Sequence, residues 1–255
     1  EAKFFFIDQL KESANARRYF HDRQLNDESI EKWQLGFAPS KIDIKAMSPQ
    51  FSLCESVLNQ TGIIVKTESG AWVSRFRNRV IIPILDHNSR TIGFGGRLIE
   101  DYDNMAKYIN SNENILFSKR QLLFGLNRAK SAIKREGYAI LMEGYMDVMM
   151  AHQFGFQQTV GSMGTALTNE QVKLLARFTD TIYLALDNDN AGQQAMQRGY
   201  EVLKSHQFKV MVIPYDEKDP ANNCLDTAII TDPKLMTKQT KEKLKHIAGR
   251  VFKKK

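Results

Sequence analysis

From Tyr138 onward, short apolar runs alternate with stretches in which apolar residues recur at helical spacing. Ala139–Met142, Gln158–Val160, Thr181–Leu186 and Lys209–Ile213 are bounded by turn residues and read as buried strands. Between them the pattern predicts helices near Tyr145–Phe154, from Thr168 to Arg177, and from about Ala191 to Lys204. Thr168-Asn-Glu-Gln171 reads as a capping box opening the second of these. Such alternation predicts a parallel α/β sheet with right-handed crossovers. The earlier chain has another rhythm. Lys3–Arg18 is amphipathic, Asp27–Trp33 starts a further helix, and Leu35–Pro39 closes that stretch. A polar segment follows through Gln60. Arg75–Leu85 and Thr91–Gly95 flank Asp86-His-Asn-Ser-Arg90 as a β-hairpin, and Phe117–Arg135 returns to helical character. The expected fold is therefore α/β: an α+β N-terminal part, a parallel sheet, and a basic helical tail. The expected domains are residues 1–136, 137–222 and 223–255.

Composition narrows this little. The 255 residues are 42% hydrophobic and 25% charged, ordinary for a globular protein. No apolar stretch nears the roughly 20 residues that span a bilayer, and no leader is visible. Cys54 and Cys224 lack metal-ligand spacing and fit a reduced, cytoplasmic setting. The start at Glu1 rather than methionine suggests an excised fragment. Charge is more informative. The net +7 divides unevenly: residues 1–137 hold 21 basic and 16 acidic side chains, residues 138–225 hold 6 and 10, and residues 226–255 hold 9 and 3. An acidic centre between basic flanks suits a metal site acting on a polyanion, although a solvated surface would also carry such asymmetry.

The acids lie where chemistry gathers in open α/β sheets, just beyond strand ends. Glu143 ends the first run, and Asp187 and Asp189 end the third. Three carboxylates delivered to one edge repel unless neutralised, and all-oxygen ligands favour magnesium or manganese over zinc. Asp147 falls in the next helical turn, where it either faces the same pocket or stabilises the helix N-terminus. In the basic part, Gly95-Gly96 lets backbone approach a ligand closely, and Lys107-Tyr108 pairs a phosphate-binding charge with a stacking ring. Arg75, Arg77 and Arg79 read equally well as one solvated strand face.

Six ordered motifs then carry a resemblance. These are Arg75-Phe-Arg-Asn-Arg-Val, Gly93-Phe-Gly-Gly-Arg97, Lys107-Tyr-Ile-Asn-Ser111, Glu143-Gly-Tyr-Met-Asp147, Gly161-Ser-Met-Gly-Thr165 and Asp187-Asn-Asp-Asn-Ala-Gly192. Together they resemble the catalytic core of bacterial DnaG-type primases, which contains a Toprim domain, from about Phe4 to Pro220. The resemblance implies a DNA-dependent RNA polymerase core that makes short primers on single-stranded DNA with two or more Mg2+ or Mn2+ ions. Glu143, Asp187 and Asp189 would bind the catalytic metals, supported by Asp147 and Asp219. Arg97, Lys107 and Lys119 would contact nucleic acid or nucleotide, with Arg79, Tyr108 and Asn110 close by. Arg23 also falls at a basic position of the family. Implied partners are single-stranded DNA template, ribonucleoside triphosphates, the RNA primer–DNA hybrid and, through a domain not in this sequence, the replicative helicase. No membrane partner is expected, and the implied location is cytoplasmic, at the replication fork. No cysteine–histidine cluster matches the family's zinc module, so no zinc is expected here. Ala221 replaces the aspartate that usually follows Asp219-Pro220. A Toprim nuclease or topoisomerase, or an inert single-strand-binding relative, is the alternative.

Overall fold

The computed structural model describes residues 1–47, 60, 62–100, 102–103, 105–114, 116–164, 166–186 and 190–212. Asp187, Asp189, Asp219, Ala221 and the 223–255 segment lie outside the described residues, so the expected helical tail does too. The chain divides into two compact units, residues 1–118 and 119–255. That division falls ahead of the expected boundary at 136, because the helix Leu126–Glu136 packs into the second hydrophobic core through Leu126, Ala129 and Ile133.

In the first unit, the Lys3–Arg18 stretch forms two helices, α1 (Ala2–Glu12) and α2 (Ala14–Asp22). Ser13 breaks them and caps the second, accepting from the Ala16 N–H at 3.2 Å. Asn26 likewise caps α3 (Asp27–Lys32), accepting from Ser29 N–H at 2.8 Å. The Leu35–Pro39 stretch that closes these helices contains a short strand. β1 (Gly36–Ala38) pairs antiparallel with the hairpin, and Gly36 is required because a Cβ there would stand 2.7 Å from Phe6 Cβ. After α4 (Ile44–Met47), β2 (Ile64–Lys66) and β3 (Trp72–Ser74) form a small hairpin. The larger expected hairpin is present as β4 (Arg79–Leu85) and β5 (Thr91–Leu98), with β6 (Tyr108–Asn110) completing the order β1-β4-β5-β6. Pro83 sits mid-strand without disruption, since β1 reaches only Arg79–Ile81 and asks no N–H of it. Phe6, Phe76 and Phe94 meet edge to face in the core beneath.

The Asp86 turn holds by its own chemistry. Its carboxylate accepts from the Asn88 and Arg90 N–H groups, both at 2.9 Å, and from Arg90 Nε at 2.7 Å. Burial pushes the Asp86 carboxyl up, but the bonds from Arg90 and Asn88 outweigh it and hold it below its usual value.

The second unit holds the expected parallel sheet. After α5 (Leu126–Glu136) come β7 (Ala139–Met142), α6 (Tyr145–Gln153), β8 (Thr159–Gly161), α7 (Asn169–Leu175), β9 (Thr181–Leu184), α8 (Asn190–Ser205) and β10 (Lys209–Val212). All pairings are parallel, in the order β10-β9-β7-β8. The capping box of α7 forms as expected: Gln171 N–H donates to Thr168 Oγ1 and Thr168 N–H to Gln171 Oε1. β7, β8 and β9 are buried throughout, as near-continuous apolar runs require. Among the described residues no helix is long and apolar enough to cross a membrane.

Candidate functional site

The carboxyl edge of the parallel sheet is built around Glu143. β7 ends at Met142, and three backbone bonds from neighbouring segments fix its tip. Ala185 N–H donates to the Leu141 carbonyl at 2.9 Å, Ser162 N–H to that of Met142 at 3.0 Å, and Gly164 N–H to that of Glu143 at 3.2 Å. The Gly161–Gly164 segment reaches these carbonyls by turning through left-handed backbone at Met163 (φ 59°) and Gly164 (φ 72°). Phe124 and Gly161 exchange both backbone hydrogen bonds and anchor the segment from behind. A Cβ on Gly161 would stand 3.0 Å from Val148 Cγ2 on α6, tighter than ordinary side-chain packing.

Glu143 is half-buried and lines a cavity of about 210 Å³ together with Ser162, Gly164, Leu186 and Arg198. Leu186 follows β9, whose register sets Leu184 beside Leu141. The chain beyond Leu186 is Asp187-Asn-Asp189, outside the described residues. Asp147 Oδ2 accepts from Gly144 N–H at 2.9 Å. Of its two readings, the structure displays the one at the helix N-terminus. A Cβ on residue 144 would stand 2.7 Å from that same oxygen and would push the Asp147 carboxylate off this bond. Among the described residues no group of three or more acids, histidines or cysteines could hold a metal. The donors lining the cavity are nonetheless oxygens, with no thiolate or imidazole, and this chemistry fits a hard divalent cation.

The basic residues of the first unit have sharply different settings. Arg79 is 3% exposed, and its guanidinium donates to the carbonyls of Ala106 at 2.8 Å, Lys107 at 2.9 Å and Gly96 at 3.3 Å. Burial and the neighbouring Arg97 and Arg75 charges lower its pKa. Arg79 therefore tethers the Lys107 segment instead of meeting a polyanion, a correction to its expected role. Gly96 needs correcting as well. A Cβ there would stand 2.6 Å from Phe76 Cδ1 and 3.1 Å from Arg79 Cδ, so its smallness admits side chains of the core and not a ligand. Nor do Arg75, Arg77 and Arg79 share one solvated face. Arg75 is half-buried with Nε on the Asn110 carbonyl at 2.8 Å, and Arg77 is exposed.

Arg97 is only 6% exposed. Its guanidinium lies 5.5 Å from the Tyr108 ring centroid and 5.9 Å from that of Tyr19, and Arg23 lies 5.5 Å from Tyr19 in turn. The result is an alternating ladder of Arg23, Tyr19, Arg97 and Tyr108 running from α2 to β6. Lys107 and Tyr108 are exposed at its β6 end, and Asn110 is half-buried. Tyr19 carried no signal in sequence, because an aromatic at helical spacing reads as core. Lys119 lies in the second unit, in the 3-10 turn Lys119–Gln121, where its carbonyl accepts from Gln171 Nε2 at 2.9 Å. The structure thus groups Arg97, Lys107, Tyr108 and Asn110 on β5–β6 and places Glu143 and Asp147 at the parallel-sheet edge.

Comparison with known proteins matches both units in order. The family described as DNA primase catalytic core, N-terminal domain, matches residues 5–130, and a Toprim-like family matches residues 140–224. The latter implies divalent-metal binding. The DNA primase of Clostridium acetobutylicum is 37% identical over 222 residues, which are 86% of this chain and 37% of that protein. The chain spans little more than a third of the length of the curated relatives it matches. A solved DnaG primase catalytic domain bound to single-stranded DNA is 29% identical, with a TM-score of 0.76, covering 96% of this chain and 77% of that one. A solved DnaG catalytic core is 31% identical, with a TM-score of 0.74, covering 87% of this chain and 72% of that one. With one family on each unit and most of a solved core aligned, the chain belongs to the DnaG-type primase catalytic-core family.

Proposed function

We propose that the chain is the RNA-polymerising core of a bacterial primase, joining ribonucleotides on a single-stranded DNA template in the cytoplasm. The observation that carries this is the clasped tip of β7, which presents Glu143 beside the end of β9, where the sequence continues into Asp187 and Asp189. Glu143, Asp187 and Asp189 would hold two Mg2+ or Mn2+ ions, with Asp219 in support. Such ions lower the pKa of an attacking 3′-hydroxyl and neutralise charge on the phosphates. Asp147 contributes by fixing Gly144, and through it the turn that aims Glu143.

In the first unit, Lys107 supplies an exposed phosphate-binding charge and Tyr108 an exposed face for base stacking. Arg97 holds Tyr108 from behind, and Asn110 and Arg75 lock β6 in place. Lys119 remains a proposed nucleotide contact of the second unit. The relative solved with single-stranded DNA supports a template of that kind. Ribonucleoside triphosphates, the primer–template hybrid and, in a longer protein, the replicative helicase follow from the same reading. Template-directed synthesis on an oligonucleotide, with either metal, tests it. Short RNA products are expected from this chain and none from Glu143→Gln. Cleavage of the template instead would favour a Toprim nuclease, and binding without products an inert relative.

A further inference from the structure

α8 presents Ala195, Arg198 and Gly199 at the i, i+3, i+4 spacing that places side chains on one face, and all three line the Glu143 cavity. The small residues on either side leave the cavity open around the arginine. Arg198 is exposed, and among the described residues none forms an ion pair or hydrogen bond with its guanidinium. Among the described residues, the cavity's charged lining is Glu143, suited to a cation, and Arg198, suited to an anion. A ligand satisfying both is a metal-bound polyphosphate. The planar guanidinium fork matches phosphate oxygens and stays charged at any working pH. The cavity's roughly 210 Å³ is of a scale suited to a compact phosphate group. A passing strand, with one charge per nucleotide, needs an open groove instead.

Resting on the polymerase reading, we infer that Arg198 receives the β- and γ-phosphates of the incoming nucleotide and then the diphosphate released. In that transfer the 3′-oxygen bonds to the α-phosphorus and its proton passes to solvent. The bond from that phosphorus to the bridging oxygen breaks, and the diphosphate leaves. Arg198 would stabilise the charge left on it.

The test uses the whole chain with Mg2+ and three probes: inorganic diphosphate, inorganic tripolyphosphate and a single-stranded DNA oligomer. Calorimetry gives affinity for the first two, and fluorescence anisotropy for the third. Arg198→Ala should weaken both inorganic ligands about 10–100-fold, the loss expected of a charge-assisted contact, and raise the nucleotide KM in parallel. Arg198→Lys should recover part of this, and DNA affinity should hold. Arg177→Ala, which removes a surface charge stacked on Phe178, should change none of these. Unchanged tripolyphosphate affinity in Arg198→Ala overturns the inference, as does a loss confined to DNA. If the wild-type chain makes no RNA but Arg198→Ala still loses tripolyphosphate, the anion site stands and the polymerase reading falls. Matching thermal unfolding of the two Arg198 variants and wild type confirms that the effects are local.

Discussion

At the scale of single residues, partners separate side chains that look alike in sequence. Arg79, Arg97 and Lys107 are three cations of one sheet, yet the first two are buried and only the third is exposed. Their substitutions should therefore fail differently. Lys107→Ala should lower the slope of log affinity for single-stranded DNA against log salt by about 0.7, one phosphate's worth, at unchanged stability. Arg97→Ala removes a cation from between two rings and should cost roughly 1–2 kcal/mol in denaturant unfolding. A variant that lost salt dependence without losing stability would show that Arg97 meets the polyanion directly. Glu143→Gln should keep the wild-type unfolding free energy within about 0.5 kcal/mol, as a half-buried, near-isosteric change, while ending synthesis. Substantial turnover in that variant would remove Glu143 from the chemistry.

Among the elements, the β4–β5 hairpin is where electrostatics and local geometry meet. The depressed Asp86 carboxyl binds its proton less readily folded than unfolded, so it adds stability above the unfolded pKa of about 3.9. That contribution disappears as pH falls through the lower folded value. Melting temperatures from pH 6 to pH 3 should therefore drop more steeply for wild type than for Asp86→Asn. Parallel slopes would place the turn's stability elsewhere. This hairpin was legible beforehand because Asp86–Arg90 is a turn between two apolar runs, and β7 and β9 were legible because buried strands are short and apolar. β1 was hidden because three residues carry no period, and its reason for existing is Phe6, thirty residues away. Arg79 misled for a related reason. Counting by twos from Arg75 assumes an extended strand, but Phe76 turns into the core and Asn78 adopts φ 57°, so alternation begins only at Arg79. Glu143 at the end of β7 followed from the strand end alone, whereas Arg198 needed the path of α8 to reveal where it lies.

For the whole molecule, charge is unevenly spread along the chain. The net +7 combines a basic N-terminal part with an acidic stretch over residues 138–225, the latter holding the carboxylates proposed for metal. The carboxylates proposed for metal should make the second unit's stability depend on divalent ions. Millimolar Mg2+ should raise the wild-type melting temperature, by the linkage that any native-state ligand obeys, and raise it less in Glu143→Gln. Equal shifts in both proteins would mean that Mg2+ acts elsewhere.

The grip of Ser162 and Gly164 on the Met142 and Glu143 carbonyls gives the carboxyl edge of the sheet a built-in gauge. Their amide hydrogens exchange with solvent only when that grip opens, and opening frees the strand tip that bears Glu143. Exchange rates at these two amides thus report what fraction of the time the edge stands open. They can be read without substrate, template or turnover, and slowing on addition of a ligand would register how firmly it sets the edge.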